Sequence, residues 1–330
     1  SRLITQGIAR SPNRAMLRAV GFSDGDFEKP IVGVANGHST MNPCNAGIQP
    51  LVDRAMASLT AAGAMPQVFG VPTVTDGIGM GTEGMKASLV SREIIADSLE
   101  LAAIGYSFDA AVIIVGCDKT IPAAAMVLAR LNIPGIILYG GSIAPGKYRG
   151  EDITIQDVFE GVGQQAAGTI TEAELEAIVD AACPGAGACG AQYTANTMAT
   201  VLEFIGISPM GSATVGATDP RKESVAHQAG ELVMDVVRRG VLPREIITRK
   251  ALENGIICAA STGGSTNVVL HLLAIAREAG VELNIDDFDA ISDATPLIGD
   301  MRPGGRYVAL DMDRVGGTRL LAKHLLDAGK

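Results

Sequence analysis

The sequence has no tryptophan, few other aromatic residues and no long hydrophobic run. Aromatic residues make up 4% of the 330 positions, whereas hydrophobic residues make up 47% and glycine occurs 40 times. This composition suits α/β proteins, in which small residues let helices pack closely on a sheet. No apolar run reaches the roughly 18 residues of a membrane-spanning helix, so no transmembrane segment is predicted.

Positive charge is also scarce. The chain has 26 Lys and Arg against 36 Asp and Glu, a formal net charge of −10. Nucleic acids and anionic membranes bind basic surfaces, so neither is expected as a partner. The opening "SRLITQGIARSPNR" lacks the apolar core of a secretory signal. We therefore expect a cytoplasmic protein, or an organellar one if a transit peptide has been removed.

Cysteine is infrequent and its number is odd, which argues against a disulfide framework in a large acidic chain without a secretory signal. Buried packing, metal ligation and nucleophilic catalysis remain as roles for these thiols. Cys258 lies in the apolar run "IICAA" and is expected in the core. The cysteines are Cys44, Cys117, Cys183, Cys189 and Cys258.

Short apolar runs alternate with helical patterns in the first half of the chain. This alternation predicts a mostly parallel sheet in a three-layer α/β/α domain, followed by a helix-rich second half. The chain shows no internal repeat or linker, so residues 1–330 are expected to form a single domain. Strands or extended segments are predicted at 30–36, 66–76, 110–116, 134–141 and 304–312, and helices at 48–62, 86–103, 122–131, 171–182, 193–205 and 219–240.

Chemically useful side chains follow the predicted strands. In open α/β sheets, ligands bind beyond the carboxyl ends of the strands. The sequence "VIIVGCDKTIP" places a thiol, a carboxylate and an amine at such a point. Side chains that could converge there are Cys44, Asp76, Cys117, Asp118 and Lys119.

Three cysteines precede predicted helices in loops that contain Gly or Pro. Such loops offer backbone N–H groups and the positive end of a helix, which stabilise thiolates and anionic clusters. Cys44, Cys117 and Cys189 could therefore hold an iron–sulfur cluster with one iron position open. Asp76 and Asp118 suit Mg²⁺, and a neutral Lys119 amine could react with CO₂ to give a carbamate ligand. An ordinary ion pair between Lys119 and Asp118 is the alternative.

A second alternative rests on "GMGTEG" at 79–84, which matches the dinucleotide-binding pattern G-x-G-x-x-G. That pattern also needs an acidic residue at the end of the next strand, about 20 positions on. Asp97 and Glu100 fall inside a predicted helix instead. A nucleotide-binding module using Gly79, Gly81 and Gly84 therefore stays as the weaker interpretation.

Four long motifs resemble the dihydroxy-acid and sugar-acid dehydratase family. They are "DGIGMGTEGMKASLVSREIIADS", "GCDKTIPAAAM", "ACGAQYTANTMA" and "GGSTNVVLHLLAIA", and the resemblance runs through nearly the whole chain. The segment "GTEGMKASLVSRE" is similar to the dihydroxy-acid members rather than to the sugar-acid and phosphogluconate members. A sugar-acid dehydratase is the alternative within the family, and a non-catalytic dimerisation domain is the alternative outside it.

The resemblance implies specific roles. Cys44, Cys117 and Cys189 match cluster ligands, Asp76 and Asp118 match Mg²⁺ ligands, and Lys119 matches a lysine that is carbamylated in relatives. Cys183 is left outside this set. Ala186 stands where some [4Fe–4S] relatives carry a cysteine, which favours [2Fe–2S] over [4Fe–4S].

The implied reaction converts 2,3-dihydroxy-isovalerate and 2,3-dihydroxy-3-methylvalerate to 2-keto acids in valine and isoleucine synthesis. The resemblance also implies a homodimer. Family members carry a C-terminal β-barrel domain that supplies a serine base and a glutamate for Mg²⁺. We therefore expect this chain to be the N-terminal domain only and to be inactive alone.

Overall fold

The computed structural model describes residues 1–330 and is built around a parallel sheet of four strands in the order β2-β1-β3-β4. A short antiparallel hairpin, β5–β6, lies apart from that sheet. The strands are β1 (Ile31–Asn36), β2 (Met65–Gly70), β3 (Ala110–Val115), β4 (Gly135–Tyr139), β5 (Gly146–Tyr148) and β6 (Glu151–Ile153).

Helices make up most of the remaining chain and dominate its second half, as the sequence predicts. None of them has the length and apolar character needed to span a membrane. In chain order, α1 to α17 are Arg2–Thr5, Ser11–Ala19, Pro43–Ala46, Gln49–Ala61, Asp76–Gly79, Lys86–Gly105, Thr120–Leu131, Ile155–Ala166, Glu172–Ala182, Thr194–Ile205, Arg221–Arg239, Pro243–Ile246, Arg249–Ser261, Asn267–Ala279, Ile285–Asp293, Ala309–Val315 and Gly317–Asp327.

The sheet is buried on both faces, which gives the predicted three layers. Every residue of β3 is buried, and successive side chains enter different cores because side chains alternate across a strand. Ile113 packs into the core formed with α7, α10, α13 and α14. Val112 and Ile114 pack into the core formed with α4 and α11 on the opposite face. A continuous apolar run such as "AAVIIV" is typical of a strand buried in this way.

The parallel register brings the carboxyl ends of the strands to one edge. Asn36 at the end of β1 pairs with Gly70 at the end of β2 and with Ile114 of β3. Val115 pairs with Tyr139 at the end of β4. The loops that follow β1, β2 and β3 therefore begin side by side, which is what positions the candidate site.

Most predicted elements are confirmed, although the extended run at 66–76 is a strand only as far as Gly70. Helix α9 begins as predicted, because the Glu174 carboxylate accepts from Thr171 N–H and Thr171 Oγ1 accepts from Glu174 N–H. The predicted strand at 304–312 is wrong. Tyr307 forms only an isolated bridge with Met301, and Val308 N–H donates to the Asp311 carboxylate to start α16.

Helix α8 and the hairpin before it were not predicted. The signal for the helix is nevertheless present, because Thr154 and Asp157 form the same kind of capping box that starts α9. The hairpin strands have three residues each, too short for an alternating pattern to show. This segment carries Ile155 and Phe159 to the cavity described below.

Candidate functional site

Three loops at the carboxyl edge of the sheet carry the predicted site residues. Cys44 lies in the short helix α3 after β1, and Asp76 begins α5 after β2. Cys117, Asp118 and Lys119 fill the turn between β3 and α7. The topology of the parallel sheet thus brings together five of the six side chains that the sequence singles out.

Gly116 allows the first and third loops to touch. A Cβ atom at this position would lie 2.0 Å from the Cys44 carbonyl oxygen, so only glycine fits. The β1 loop is also tied to β3 by a hydrogen bond of 2.9 Å from Gly37 N–H to the Ile114 carbonyl. Asn45 Nδ2 donates to the Gly37 carbonyl at 2.6 Å and braces the same loop. The result is that two thiols from distant parts of the chain become neighbours.

The Cys44 and Cys117 thiols interact directly. Their mutual hydrogen bond and burial raise the pKa of Cys117 well above its ordinary value, while the pKa of Cys44 is lowered mainly by its bond with Cys117. Cys117 Sγ donates to Asp118 Oδ1 at 3.2 Å, and Cys44 Sγ lies 3.9 Å from Thr75 Oγ1. The Asp118 carboxylate also raises the pKa of Cys117, so ionisation of this thiol would be favoured by a bound metal.

Two carboxylates and one lysine lie next to the thiol pair. Lys119 Nζ donates to Asp118 Oδ2 and lies 3.9 Å from Asp76 Oδ2. The side chains of Asp118 and Lys119 are each only 6% exposed, whereas that of Asp76 is 30% exposed. Burial and repulsion from Asp118 raise the pKa of Asp76 above its ordinary value despite the nearby lysine. Such a pair of mutually repelling carboxylates would gain from a hard cation.

Cys189 reaches the site from the second half of the chain. Gly187 N–H donates to the Pro43 carbonyl at 2.8 Å, and Ala188 N–H donates to the Gly141 carbonyl at 2.9 Å. These bonds fasten the Cys189 loop to the Cys44 loop and to the end of β4. Burial is the main reason that the pKa of Cys189 is raised, and the nearby Cys44 raises it further. The third predicted thiol is therefore held beside the other two.

A cavity of about 630 Å³ opens among these loops. Cys44, Cys189, Asp76 and Asp118 line it, and so does Cys183, which the sequence reasoning left outside the set. Cys258 is fully buried in the main core, as predicted. The cavity is therefore the one place where thiols and carboxylates from all the predicted loops meet.

One part of the cavity wall is apolar. Ile143, Ile155 and Phe159 line it, with Phe159 about half exposed. Tyr193 Oη donates to Gln156 Oε1 at 3.2 Å, and burial raises the pKa of Tyr193 to about 12, so the phenol stays protonated. Sequence reasoning missed this wall because no motif marks its residues.

The donor set fits an iron–sulfur cluster and a hard divalent cation. No group of three His, Cys, Asp or Glu side chains is placed so that it could hold a single metal ion. A cluster spreads its thiolate ligands over separate irons, so it does not need three donors around one point. Mg²⁺ commonly takes one or two carboxylates and completes its octahedron with water and substrate, which the pair Asp76 and Asp118 would allow.

The glycine pattern at 79–84 serves a tight turn. Gly81 has a φ of 78°, and Thr82 Oγ1 accepts from Gly84 N–H at 3.1 Å. Strand β2 ends at Gly70, so the pattern does not follow a strand directly as the dinucleotide fingerprint requires. The turn instead leads from Asp76 into α6.

Fold and site together define an α/β protein with a thiol- and carboxylate-lined cavity at the carboxyl edge of a parallel sheet. The sequence profile described as "Dihydroxy-acid/6-phosphogluconate dehydratase N-terminal" matches residues 29–330. The chain belongs to this family, and the resemblance seen in its motifs is confirmed.

Curated relatives carry the same family name. The chain is 59% identical over 329 residues to the dihydroxy-acid dehydratase of Roseiflexus sp. (strain RS-1), covering 100% of this chain and 59% of that protein. It is 55% identical over 329 residues to the dihydroxy-acid dehydratase of Acaryochloris marina, again covering 100% of this chain and 59% of the relative. The chain thus spans less than two thirds of the length of the relatives it matches.

Proposed function

We propose that this chain forms the cofactor-binding part of a dehydratase, a hydro-lyase that converts 2,3-dihydroxy acids with a branched alkyl chain to 2-keto acids. The observation that carries the proposal is the lining of one cavity by Cys44, Cys189, Asp76 and Asp118, with Cys117 and Lys119 buried on either side of Asp118 in the same turn. Membership of the dehydratase family and the printed names of the relatives support the same reaction. Valine and isoleucine synthesis is the pathway that would use these substrates.

Cys44, Cys117 and Cys189 would hold the iron–sulfur cluster. We favour [2Fe–2S] because Ala186 occupies the position at which a further thiol would favour [4Fe–4S], and a Cβ at Gly47 in the Cys44 loop would lie 3.3 Å from the Ala186 Cβ. Asp76 and Asp118 would bind Mg²⁺ with a carbamylated Lys119. When bound, these two groups would supply the Lewis acidity that activates the hydroxyl groups of the substrate.

A charged part and an apolar part of the cavity lining would orient the substrate. Asp76 and Asp118 would hold the cation, which would supply positive charge for the anionic end of the substrate. Ile143, Ile155 and Phe159 offer an apolar surface for the alkyl group at C3, where the polyhydroxy tail of a sugar acid would lose hydrogen bonds to water. Dehydration removes the C2 proton and the C3 hydroxyl as water and leaves an enol that tautomerises to the 2-keto acid.

Substrate turnover by a polypeptide of the relatives' full length that contains this chain tests the proposal. We expect 2-keto acid to form from 2,3-dihydroxy-isovalerate and from its methylvalerate homologue, with far less from a sugar acid such as gluconate. Asp118→Asn should abolish turnover, and Asp327→Asn on the exposed surface should not. Preferential dehydration of the sugar acid would contradict the assigned substrate class.

A further inference from the structure

Asn196 is a buried asparagine whose side chain makes four hydrogen bonds, one of them to the Cys189 backbone. It lies in the first turn of α10 and is only 3% exposed. Its Nδ2 group donates to the carbonyls of Cys189 and Ala191, both at 2.6 Å. Its Oδ1 atom accepts from Tyr139 Oη at 2.5 Å and from Ser142 Oγ at 2.8 Å. The amide thus uses both donors and both acceptor sites of its side chain.

The orientation of the Asn196 amide is fixed by these partners. Backbone carbonyls only accept, so the amide nitrogen must face the carbonyls of Cys189 and Ala191. A flipped amide would place Oδ1 against two carbonyl oxygens and lose both bonds. A buried polar network in which every member is paired has one arrangement, because each lost bond leaves a buried group unsatisfied. The bond to the Cys189 carbonyl is therefore a fixed feature of the fold.

The network ties the Cys189 loop to the end of the sheet. Tyr139 is the last residue of β4, and Ser142 follows it three positions on. Ser142 also forms an isolated bridge with Ala188, the residue before Cys189. The segment after β4 thus holds the backbone that precedes Cys189, and Asn196 holds the Cys189 carbonyl. Because Asn196 is itself bonded to the same segment, Cys189 is held from both sides.

Asn196 does not line the cavity that Cys189 lines. Its amide can therefore act on a group bound in the cavity only through the backbone of Cys189. Cys117 has a comparable support, because its N–H donates to Thr120 Oγ1 at 3.0 Å. In both cases a buried polar side chain in the first turn of a helix fixes the backbone of a thiol residue.

We propose that Asn196 is a positioning residue that holds Cys189 in place as a ligand of the iron–sulfur cluster. When a bond between a thiolate and iron opens, a fixed backbone keeps the sulfur close to the metal. The bond then re-forms before the cluster is lost, because the effective concentration of the ligand stays high. This inference rests on the proposed function, which places a cluster at Cys189.

The test is the rate at which the full-length polypeptide, reconstituted with iron and sulfide, loses its cluster to an iron chelator. Visible absorption under anaerobic conditions follows the loss. Asn196→Leu keeps the branched shape of the side chain and removes all four bonds. We expect it to lose the cluster about tenfold faster than the wild-type protein, the order expected when a buried hydrogen bond is lost. Its visible circular dichroism per bound cluster should also change, since that signal reports the arrangement of the ligands.

Gln192→Met is the matched control, because it removes another buried amide from the same loop. Gln192 is 2% exposed, and its Nε2 donates to Thr200 Oγ1 at 3.3 Å and to Thr262 Oγ1 at 3.2 Å. These bonds do not involve Cys189. The rate of cluster loss and the visible circular dichroism should therefore match those of the wild-type protein, even if the variant unfolds in less urea. Equal acceleration by Gln192→Met and Asn196→Leu overturns the inference.

Ser142→Ala gives a second route if Asn196→Leu fails to fold. It removes one of the two bonds to Asn196 Oδ1, so cluster loss should be about threefold faster. A wild-type rate in this variant overturns the inference, and so does a folded Asn196→Leu protein with the wild-type rate and spectrum.

Keto-acid formation separates this inference from the proposed function. Turnover together with a rate of cluster loss that ignores Asn196 rejects this inference alone. A rate that depends on Asn196 without any turnover rejects the proposed function instead. A wild-type protein that takes up no cluster overturns both.

Discussion

Gly116 is the residue whose smallness decides whether the two thiol loops can meet. A methyl group there would overlap the Cys44 carbonyl at 2.0 Å, and both partners are backbone, so neither can rotate away. We expect Gly116→Ala to lower the free energy of unfolding by about 1–3 kcal/mol or more, the usual range for overpacking. Urea unfolding followed by circular dichroism measures this.

Gly70→Ala is the matched control for Gly116→Ala. Gly70 also ends a strand of the sheet, yet a Cβ there meets no atom within 4 Å. Its unfolding midpoint should stay close to that of the wild-type protein. Equal destabilisation by the two substitutions would show that the contact between Gly116 and Cys44 does not constrain the fold.

Lys222 makes stability depend on pH through a side chain far in sequence from the site motifs. Burial lowers its pKa to about 7, although Nζ donates to the Ser212 carbonyl at 2.7 Å. The unfolded lysine titrates near 10.5, so between about pH 7 and pH 10.5 the unfolded state binds more protons than the folded state. Stability from this residue therefore rises with pH across that window.

The comparison of wild-type protein with Lys222→Met isolates this effect from other titrations. We expect the wild-type protein to gain stability relative to the variant by up to about 1.4 kcal/mol per pH unit between pH 7 and pH 10. Urea unfolding at pH 7, 8, 9 and 10 gives the difference. A difference that stays constant with pH would mean that the folded and unfolded pKa values of Lys222 are equal.

At the scale of elements, the first turn of α7 holds the Cys117 backbone in place. Thr120 Oγ1 accepts from Cys117 N–H at 3.0 Å and donates to the Cys117 carbonyl at 2.9 Å. Thr120→Val keeps the shape but removes both bonds and leaves the buried Cys117 N–H unpaired, while the Cys117 carbonyl still accepts from Ile121 N–H at 3.1 Å. We expect a loss of about 1–3 kcal/mol in the free energy of unfolding.

Thr60→Val in α4 provides the comparison for Thr120→Val. Thr60 Oγ1 donates to the Met56 carbonyl at 2.9 Å, but this bond is exposed to water. Its loss should cost a small fraction of the effect at Thr120, because water replaces the missing partner. A Thr120→Val variant as stable as Thr60→Val would contradict the role given to the α7 turn.

Elements with strong periodicity and capping signals were predictable from the sequence, and those set by tertiary contacts were not. The apolar run of β3 and the capping residues Thr171 and Glu174 are local signals, and each is enough to predict its element. The segment at 304–312 has a strand-like composition. It pairs only through an isolated bridge to Met301, and the Asp311 carboxylate caps the helix that begins within it. Short β-prone runs need a neighbouring strand, and here none lies alongside.

At the scale of the whole molecule, the sheet topology explains why the candidate site could be predicted in large part. Cys44, Asp76 and Cys117 follow successive parallel strands, and such strand ends always share one edge. The apolar cavity wall and Cys183 could not be predicted. They reach the site through helix packing between distant segments, which no local pattern in the sequence reports.

The central claim is that Cys44, Cys117 and Cys189 come together at the carboxyl edge of the sheet to hold an iron–sulfur cluster. Visible absorption of the chain after anaerobic reconstitution with iron and sulfide tests it most directly, because all three cysteines lie within the chain. Cys258→Ala in the core and Cys183→Ser in the cavity are the matched controls. We predict a visible iron–sulfur band that both controls keep and that Cys44→Ser, Cys117→Ser and Cys189→Ser each lose. A colourless wild-type chain, or a full band in Cys117→Ser, would contradict the account.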